Sequence, residues 1–512
     1  MATLTTAIEL IERAHQHSVS QVNIDSDSYS NSSKKLDQSA LEVRPAEDNQ
    51  STTDIRRQDV EDVGSSSSTR TTGEDAEFKL PSYKNLAIII GGNALFQISF
   101  FIIVSSASLF AEHLGGTATF SGLVIGIPTV FSGLCLLVVS RYDGGQYNSP
   151  LILAYTAILI GSILYALAYP FRFLYLILIG RMVSGFGFIG FMYCKRYCSD
   201  PRVVGVRRRT TLASLLVVGQ GIGTGLGPWL GGVLYKYAGE DQGTVWNGLT
   251  SPGWVMSGVF LAFLIVGGWF FDDVPKKVDQ VRTNAVEVSP DTHAQTTDEL
   301  ANEPELEEDT RLTLPRAFVL FTMCYSSMTC FFVLGAWEAN IPVFTAAVLG
   351  YNPYQAGNFI ALGGACAFPF LIANVWWSMR RGGGIQDRTV LSVGMSTGTA
   401  GLVLLLITVL VKKVSFGPIF VAWFLVALGF NLASTCTLSL LSKQFPNSGL
   451  WNKRTSMAIQ YANYSGRVTG AVLGGAGVKI GMQNYVGVQL GVVGLGGLIY
   501  VMGWGRLKVK VG

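Results

Sequence analysis

Residues 219–232 read GQGIGTGLGPWLGG. Glycine-rich runs occur in phosphate-binding loops, yet the GxGxxG spacing is absent here, no strand precedes the run, and no GxxxxGK occurs anywhere in the chain. Wound as a helix, the run sets glycines four residues apart, where a neighbouring backbone can come close, and adds a proline able to bend the axis. Gly221, Gly225, Gly227 and Pro228 are therefore expected to form a packing and hinge surface. Two readings stay open: helix packing alone, or a surface on which two half-bundles rock.

The surroundings of this run are apolar. The 512 residues are 49% hydrophobic and 14% charged, which excludes an ordinary soluble protein, where roughly a quarter of residues carry charge. A net charge of +3 gives no nucleic-acid footprint, which needs a concentrated basic patch. Stretches of about 18 or more apolar residues fit a bilayer core of about 30 Å. Twelve are present, at 85–110, 119–140, 149–170, 173–194, 210–235, 253–271, 316–341, 355–378, 388–411, 418–441, 455–478 and 484–504. The expected fold class is an all-α membrane protein of twelve transmembrane helices.

Outside these spans lie two polar segments. Residues 1–80, with Tyr29 and Phe78 as their only aromatics, cannot bury enough apolar surface to offset ordering entropy and read as a disordered cytosolic tail. No signal peptide opens it, and His15 and His17 read as solvated side chains in preference to metal ligands. Residues 272–315 form an acidic cytosolic linker, densest from Thr297 to Asp309. It separates a six-helix half at 81–271 from another at 316–512. From Lys79 onward, the loops on the side of the N terminus hold nearly all the Lys and Arg, whereas the other side holds Arg172, Lys236, Lys412, Lys413 and Lys479. The positive-inside rule then makes both ends cytosolic. The halves look duplicated: at an offset of 245, Arg209-Thr210 matches Arg454-Thr455, and Gly221 and Gly225 fall on Gly466 and Gly470.

Few polar groups interrupt the spans. Arg181 lies well inside span four, where a guanidinium normally faces a cavity or a partner; it is either a functional charge or a clamp on carbonyls. Glu338, in Gly335-Ala336-Trp337-Glu338-Ala339-Asn340-Ile341-Pro342, is the carboxylate with the clearest apolar surround and suits proton binding. Its place late in span seven leaves the centre and the outer mouth both open. Gln460, Asn463 and Arg467 form one stripe on span eleven, and Asn93 and Gln97 another on span one. These stripes must face the bundle interior and read as a substrate path in preference to interhelical hydrogen bonding alone; Trp376, Trp377 and Tyr461 are candidates to line it. The seven cysteines imply no disulfide framework. No metal site and no cofactor are expected, and the absence of HExxH and GxSxG motifs argues against an enzyme.

Two six-helix halves, Arg181-x-x-x-Gly185-x-Gly187 in span four and the Gly-Pro run in span five resemble the major facilitator superfamily. Within it, Gly180-Arg181, Arg196-Tyr197, Arg209-Thr210, Gln220, Gly227-Pro228, Trp246, and Glu338 followed by Pro342 resemble the group that holds major facilitator domain-containing protein 8 and the SPX-linked vacuolar transporters. The loop Ser140-Arg141-Tyr142-Asp143-Gly144-Gly145 is a degenerate form of the superfamily's inner gate, from which only Asp143 carries over. The first 80 residues are too short for an SPX domain, so neither inositol phosphate regulation nor phosphate as substrate is implied. The resemblance implies a secondary active transporter of a small solute, monomeric, working by alternating access and coupled to protons. Glu338 would take up the proton, and Arg181 would couple it or meet an anionic substrate. A passive anion channel or uniporter is the alternative, and a non-transporting sensor a third class. The resemblance points to a vacuolar or lysosomal membrane, with the plasma membrane the other choice.

Overall fold

The computed structural model describes residues 79–200, 202–204, 206–239, 243–274, 312–379, 386–442 and 449–507. Most of the polar tail, its two histidines and the acidic stretch 297–309 lie outside the described residues. Long apolar runs have no water to satisfy their backbone, so each closes its own hydrogen bonds as helix. The N-terminal half contains α1 (Tyr83–Phe101), α2 (Ala107–His113), α3 (Ala118–Tyr142), α4 (Asn148–Leu167), α5 (Leu174–Gly187), α6 (Gly190–Ser199), α7 (Val206–Ala238) and α8 (Ser251–Phe270). The C-terminal half contains α9 (Leu314–Leu349), α10 (Pro353–Met379), α11 (Asp387–Leu410), α12 (Phe416–Ser442), α13 (Gly449–Ile480) and α14 (Met482–Gly503).

Twelve crossings result, because α1 with α2 and α5 with α6 are each one span interrupted by turns, at Ile102–Ser106 and at Phe188–Ile189. Among the described residues, ten helical segments are long and apolar enough to cross a membrane. The glycine-rich α7 and α13 are not among those ten, yet at 33 and 32 residues they have ample length. The end of the bundle where residues 274 and 312 lie is the linker end, and the opposite one is the far end.

Span limits differ from the sequence expectation where a proline or a polar residue reads as a stop. Helix α9 runs through Pro342 and ends at Gly350, whose φ of 66° gives a left-handed cap. The fourth span continues past its break as α6, which carries Lys195 and Arg196. The start of the expected linker is pinned to the N-terminal half. Asp273 accepts from the Tyr147 and Asn148 backbone N–H groups at 3.0 Å each, at the start of α4, and Asn85 donates to the Asp272 carbonyl at 2.8 Å.

Glycine rows set the closest approaches. In the C-terminal half, a Cβ on Gly466, Gly470 or Gly474 would lie 2.2, 2.0 or 2.2 Å from the carbonyl oxygens of Met328, Phe332 and Ala336, so α13 and α9 pack backbone to backbone. In the N-terminal half the matching row is Gly223, Gly227 and Gly231, which meets Gln97, Phe101 and the Ile102 carbonyl. This corrects the expected repeat register. Gly223, not Gly221, is the counterpart of Gly466, a shift of two residues, which on a helix turns the row through roughly 200°. Gly221 and Gly225 face the other half, against Phe368 and Gly364 of α10.

Candidate functional site

The two interruptions in the N-terminal half meet. Phe100, at the end of α1, packs edge-on against Phe188, in the break between α5 and α6, with ring centroids 5.4 Å apart, and Phe188 stacks on Phe191 at 5.7 Å. Broken helices in transporters commonly lie where backbone lines a cavity. A cavity of about 90 Å³ opens here between the halves. Its N-terminal wall is Gln97, Phe100, Thr129, Phe188, Phe191, Lys195 and Gln220, and its C-terminal wall is Phe331, Gln460, Asn463, Tyr464 and Arg467.

Arg467 is fixed by the glycine contact between α13 and α9, which brings it beside Glu338. Its Nη2 donates to Glu338 Oε2 at 2.5 Å, with 12% of the arginine side chain and 4% of the glutamate exposed. Glu338 is thus buried within the bundle on α9. The guanidinium also lies 4.4 and 4.9 Å from the ring centroids of Phe100 and Phe101, so this one side chain joins the halves through a carboxylate on its own side and aromatic faces on the other. Its Nε has no protein acceptor.

Of the path residues expected from sequence, the cavity gathers Gln97, Gln460, Asn463 and Arg467. Gln97 also donates to Thr224 at 3.2 Å, and Asn463 accepts from Ser327. Asn93 is not on the cavity wall: fully buried, it donates to the Leu216 carbonyl at 3.0 Å and ties α1 to α7. Arg181 is also outside the cavity, in a separate polar pocket within the N-terminal half. Trp376 is half exposed, and Tyr461 donates to the Gly133 carbonyl at 3.0 Å; neither lines the cavity, and the Trp377 side chain lies outside what the structure describes.

Sequence reasoning missed Lys195 and the phenylalanine cluster. Ending span four at 194 places Lys195 in a loop, whereas the helical continuation holds it at the cavity. The available signal is its place next to the apolar run Phe186–Cys194.

At the far end the halves touch through backbone. A Cβ on Gly122 would lie 2.3 Å from the Ala471 carbonyl oxygen, and one on Gly357 2.4 Å from that of Pro228. Nearer the linker end, Ser132 and Tyr464 share a hydrogen bond of 2.9 Å across the halves. Asp143 accepts from Arg196 Nη1 at 2.5 Å and from Tyr193 Oη at 2.9 Å. Beside it, Asp200 accepts from Tyr147 Oη at 2.7 Å and pairs with Arg202 at 2.6 Å. Burial pushes the Tyr147 phenol up, and its bond to Asp200 adds to this. Burial alone would raise the Asp200 carboxyl, but the bonds from Arg202 and Tyr147 outweigh it and hold the carboxyl below its usual range. The described partners of Asp143 all belong to the N-terminal half.

Residues 89–475 match the description Major Facilitator Superfamily. The chain belongs to the major facilitator superfamily. Among its relatives, an uncharacterized protein of Schizosaccharomyces pombe, CC613.01, is 31% identical over 84% of each chain. An uncharacterized MFS-type transporter of the same yeast, C330.07c, is 29% identical over 84% of this facilitator and 83% of that protein. An SPX domain-containing membrane protein of Arabidopsis thaliana is 30% identical over 40% of this chain and 28% of its own. In fold, this facilitator is similar to a D-xylose-proton symporter, with a TM-score of 0.62 at 15% identity over 83% and 98% of the two chains. It is similar too to a bacterial homolog of the human lysosomal transporter Spinster in an inward-facing conformation, with a TM-score of 0.60 at 12% identity over 82% and 96%. The protein is thus a multi-pass membrane transporter of the facilitator type and not an enzyme.

Proposed function

We propose that this facilitator carries a small anionic solute by alternating access, coupled to protons, with Glu338 and Arg467 as the coupling pair. The observation that carries the reading is the buried Arg467–Glu338 bond on a cavity walled by both halves. A proton on Glu338 cancels its charge and weakens its hold on Arg467, freeing the guanidinium for an anionic solute. A solute that takes Arg467 leaves Glu338 without its counter-charge and raises its affinity for a proton. Binding of each thus favours the other, the reciprocity a symporter needs.

The charge of the lining supports an anion. Lys195 and Arg467 face the cavity from opposite halves, and no carboxylate is among the residues that line it. Gln97, Gln220, Gln460 and Asn463 add amide donors. The backbone contacts at the far end support a state sealed on that side. The rocking surface is α7 against α10, where Gly221 meets Phe368 and a Cβ on Gly364 would lie 3.8 Å from the Gly225 Cα. Both chain ends lie in the cytosol on this reading, with Asp143 at the inner gate, and a vacuolar or lysosomal membrane is the favoured site. Flux into proteoliposomes under an imposed pH gradient tests it. Uphill uptake of an anionic solute that collapses with a protonophore supports the carrier; flux that only runs downhill and does not saturate supports a channel.

A further inference from the structure

Arg181 is the second arginine of the membrane interior, and its surroundings differ from those of Arg467. The residue is 3% exposed, its Nε donates to the Val124 carbonyl at 3.3 Å, and its Nη2 has no hydrogen-bond partner. None of the ion pairs among the described residues includes it. The guanidinium approaches the Phe100 and Phe188 rings at 5.7 and 5.8 Å. That aromatic pair separates it from the solute cavity, and Arg467 reaches the same Phe100 ring. Arg181 borders a cavity of about 10 Å³ shared with Ser99, Ser162, Tyr165 and Ser184. The Tyr165 hydroxyl is also buried without a partner.

An arginine does not shed its proton in a protein, and an isolated charge in this setting is costly. Among the described residues no carboxylate pairs with it, which leaves the place of a countercharge open to an external ion. The cavity has room for about one water-sized sphere, which excludes phosphate, sulfate and carboxylate ligands, and the hydroxyls around it can all donate.

We propose that this pocket is a binding site for a single halide-sized anion, chloride in salt solutions, held by Arg181 and the Tyr165 hydroxyl within the N-terminal half. The bound ion neutralises Arg181 and fixes the Phe100–Phe188 wall that backs the solute cavity. It is distinct from the transported solute and does not depend on what that solute is.

The test is thermal unfolding of the purified full chain in detergent, at constant ionic strength, with sodium gluconate replaced stepwise by sodium chloride. The expected result is a midpoint that rises and saturates with chloride, does so with bromide, and is unmoved by sulfate. Tyr165→Phe keeps the ring packed against Phe110, 5.3 Å away, and should raise the half-saturating chloride concentration roughly tenfold, the effect of one hydrogen bond to a charge. Arg181→Met should abolish the dependence. Equal midpoints in chloride and gluconate would mean that the pocket holds only water, and would overturn the proposal. So would an unchanged half-saturation in Tyr165→Phe, or a chloride response that survives in Arg181→Met. Since the readout is binding, failure to find a transported solute leaves this result intact.

Discussion

Replacing Glu338 with glutamine tests whether the bond to Arg467 holds the two halves' shared cavity in shape. Glutamine keeps the side-chain length and one acceptor but removes the charge. It leaves a guanidinium with a 12% exposed side chain held by one neutral acceptor and by the rings of Phe100, Phe101 and Phe331. Breaking a buried pair from one side costs about 3–5 kcal/mol. The rings at 4.4 and 4.9 Å each retain a cation–π attraction of the order of 1 kcal/mol, so the lower value, about 3 kcal/mol, is expected. At about 2.1 cal/mol/K of unfolding entropy per residue, that is a fall of roughly 3 °C in unfolding midpoint for a chain of this size. Arg467→Met should cost less, because Glu338 left alone can take a proton and become neutral. The double variant Glu338→Gln with Arg467→Met should then be more stable than the sum of the single losses by about 1–3 kcal/mol. The assay is midpoint unfolding of the four purified proteins in one detergent. Losses that add to within about 0.5 kcal/mol would mean that the two side chains do not hold each other.

Gly470→Ala places a Cβ 2.0 Å from the Phe332 carbonyl and should destabilise by about 1–3 kcal/mol. Gly225→Ala meets nothing within 4 Å and should be neutral or slightly stabilising in the same unfolding assay. Lys195→Gln should raise the KM for an anionic solute several-fold and Lys195→Arg should not, as initial uptake rates would reveal; a neutral solute should show no difference. The Asp200 carboxyl is held below its usual range, so its stabilisation is complete above the ordinary aspartate value of about 4. It is lost as pH falls through the lower, folded value. Asp200→Asn should therefore flatten the acid limb of a midpoint-against-pH curve.

The spans were legible because a membrane crossing needs only length and apolarity, and both are local properties. The two breaks were not. Neither Ile102–Ser106 nor Phe188–Ile189 contains a glycine or proline, and the first lies where Gly231 brings α7 against the Ile102 carbonyl, a contact between residues far apart in sequence. Glu338, Arg467 and Arg181 stood out by charge alone, since a charge within an apolar run is conspicuous. Their partners were not legible: the first two are 129 residues apart and meet only because Gly466 and Gly470 let α13 settle onto α9. The same packing explains the register error in the repeat. Sequence identity aligned Gly221 with Gly466, but helix faces, not letters, decide which glycine touches a neighbour. Asn93 and Gln97 share a helical stripe and both bond to α7, yet only Gln97 also reaches the cavity.

Counterflow and pH-driven uptake, measured together in proteoliposomes for the wild type and Glu338→Gln, test the coupling role most directly. Counterflow needs only alternating access, whereas accumulation in a pH gradient needs the proton site. Glu338→Gln should keep exchange of labelled for unlabelled solute while losing accumulation driven by the gradient. Accumulation at the wild-type level in Glu338→Gln would contradict that role.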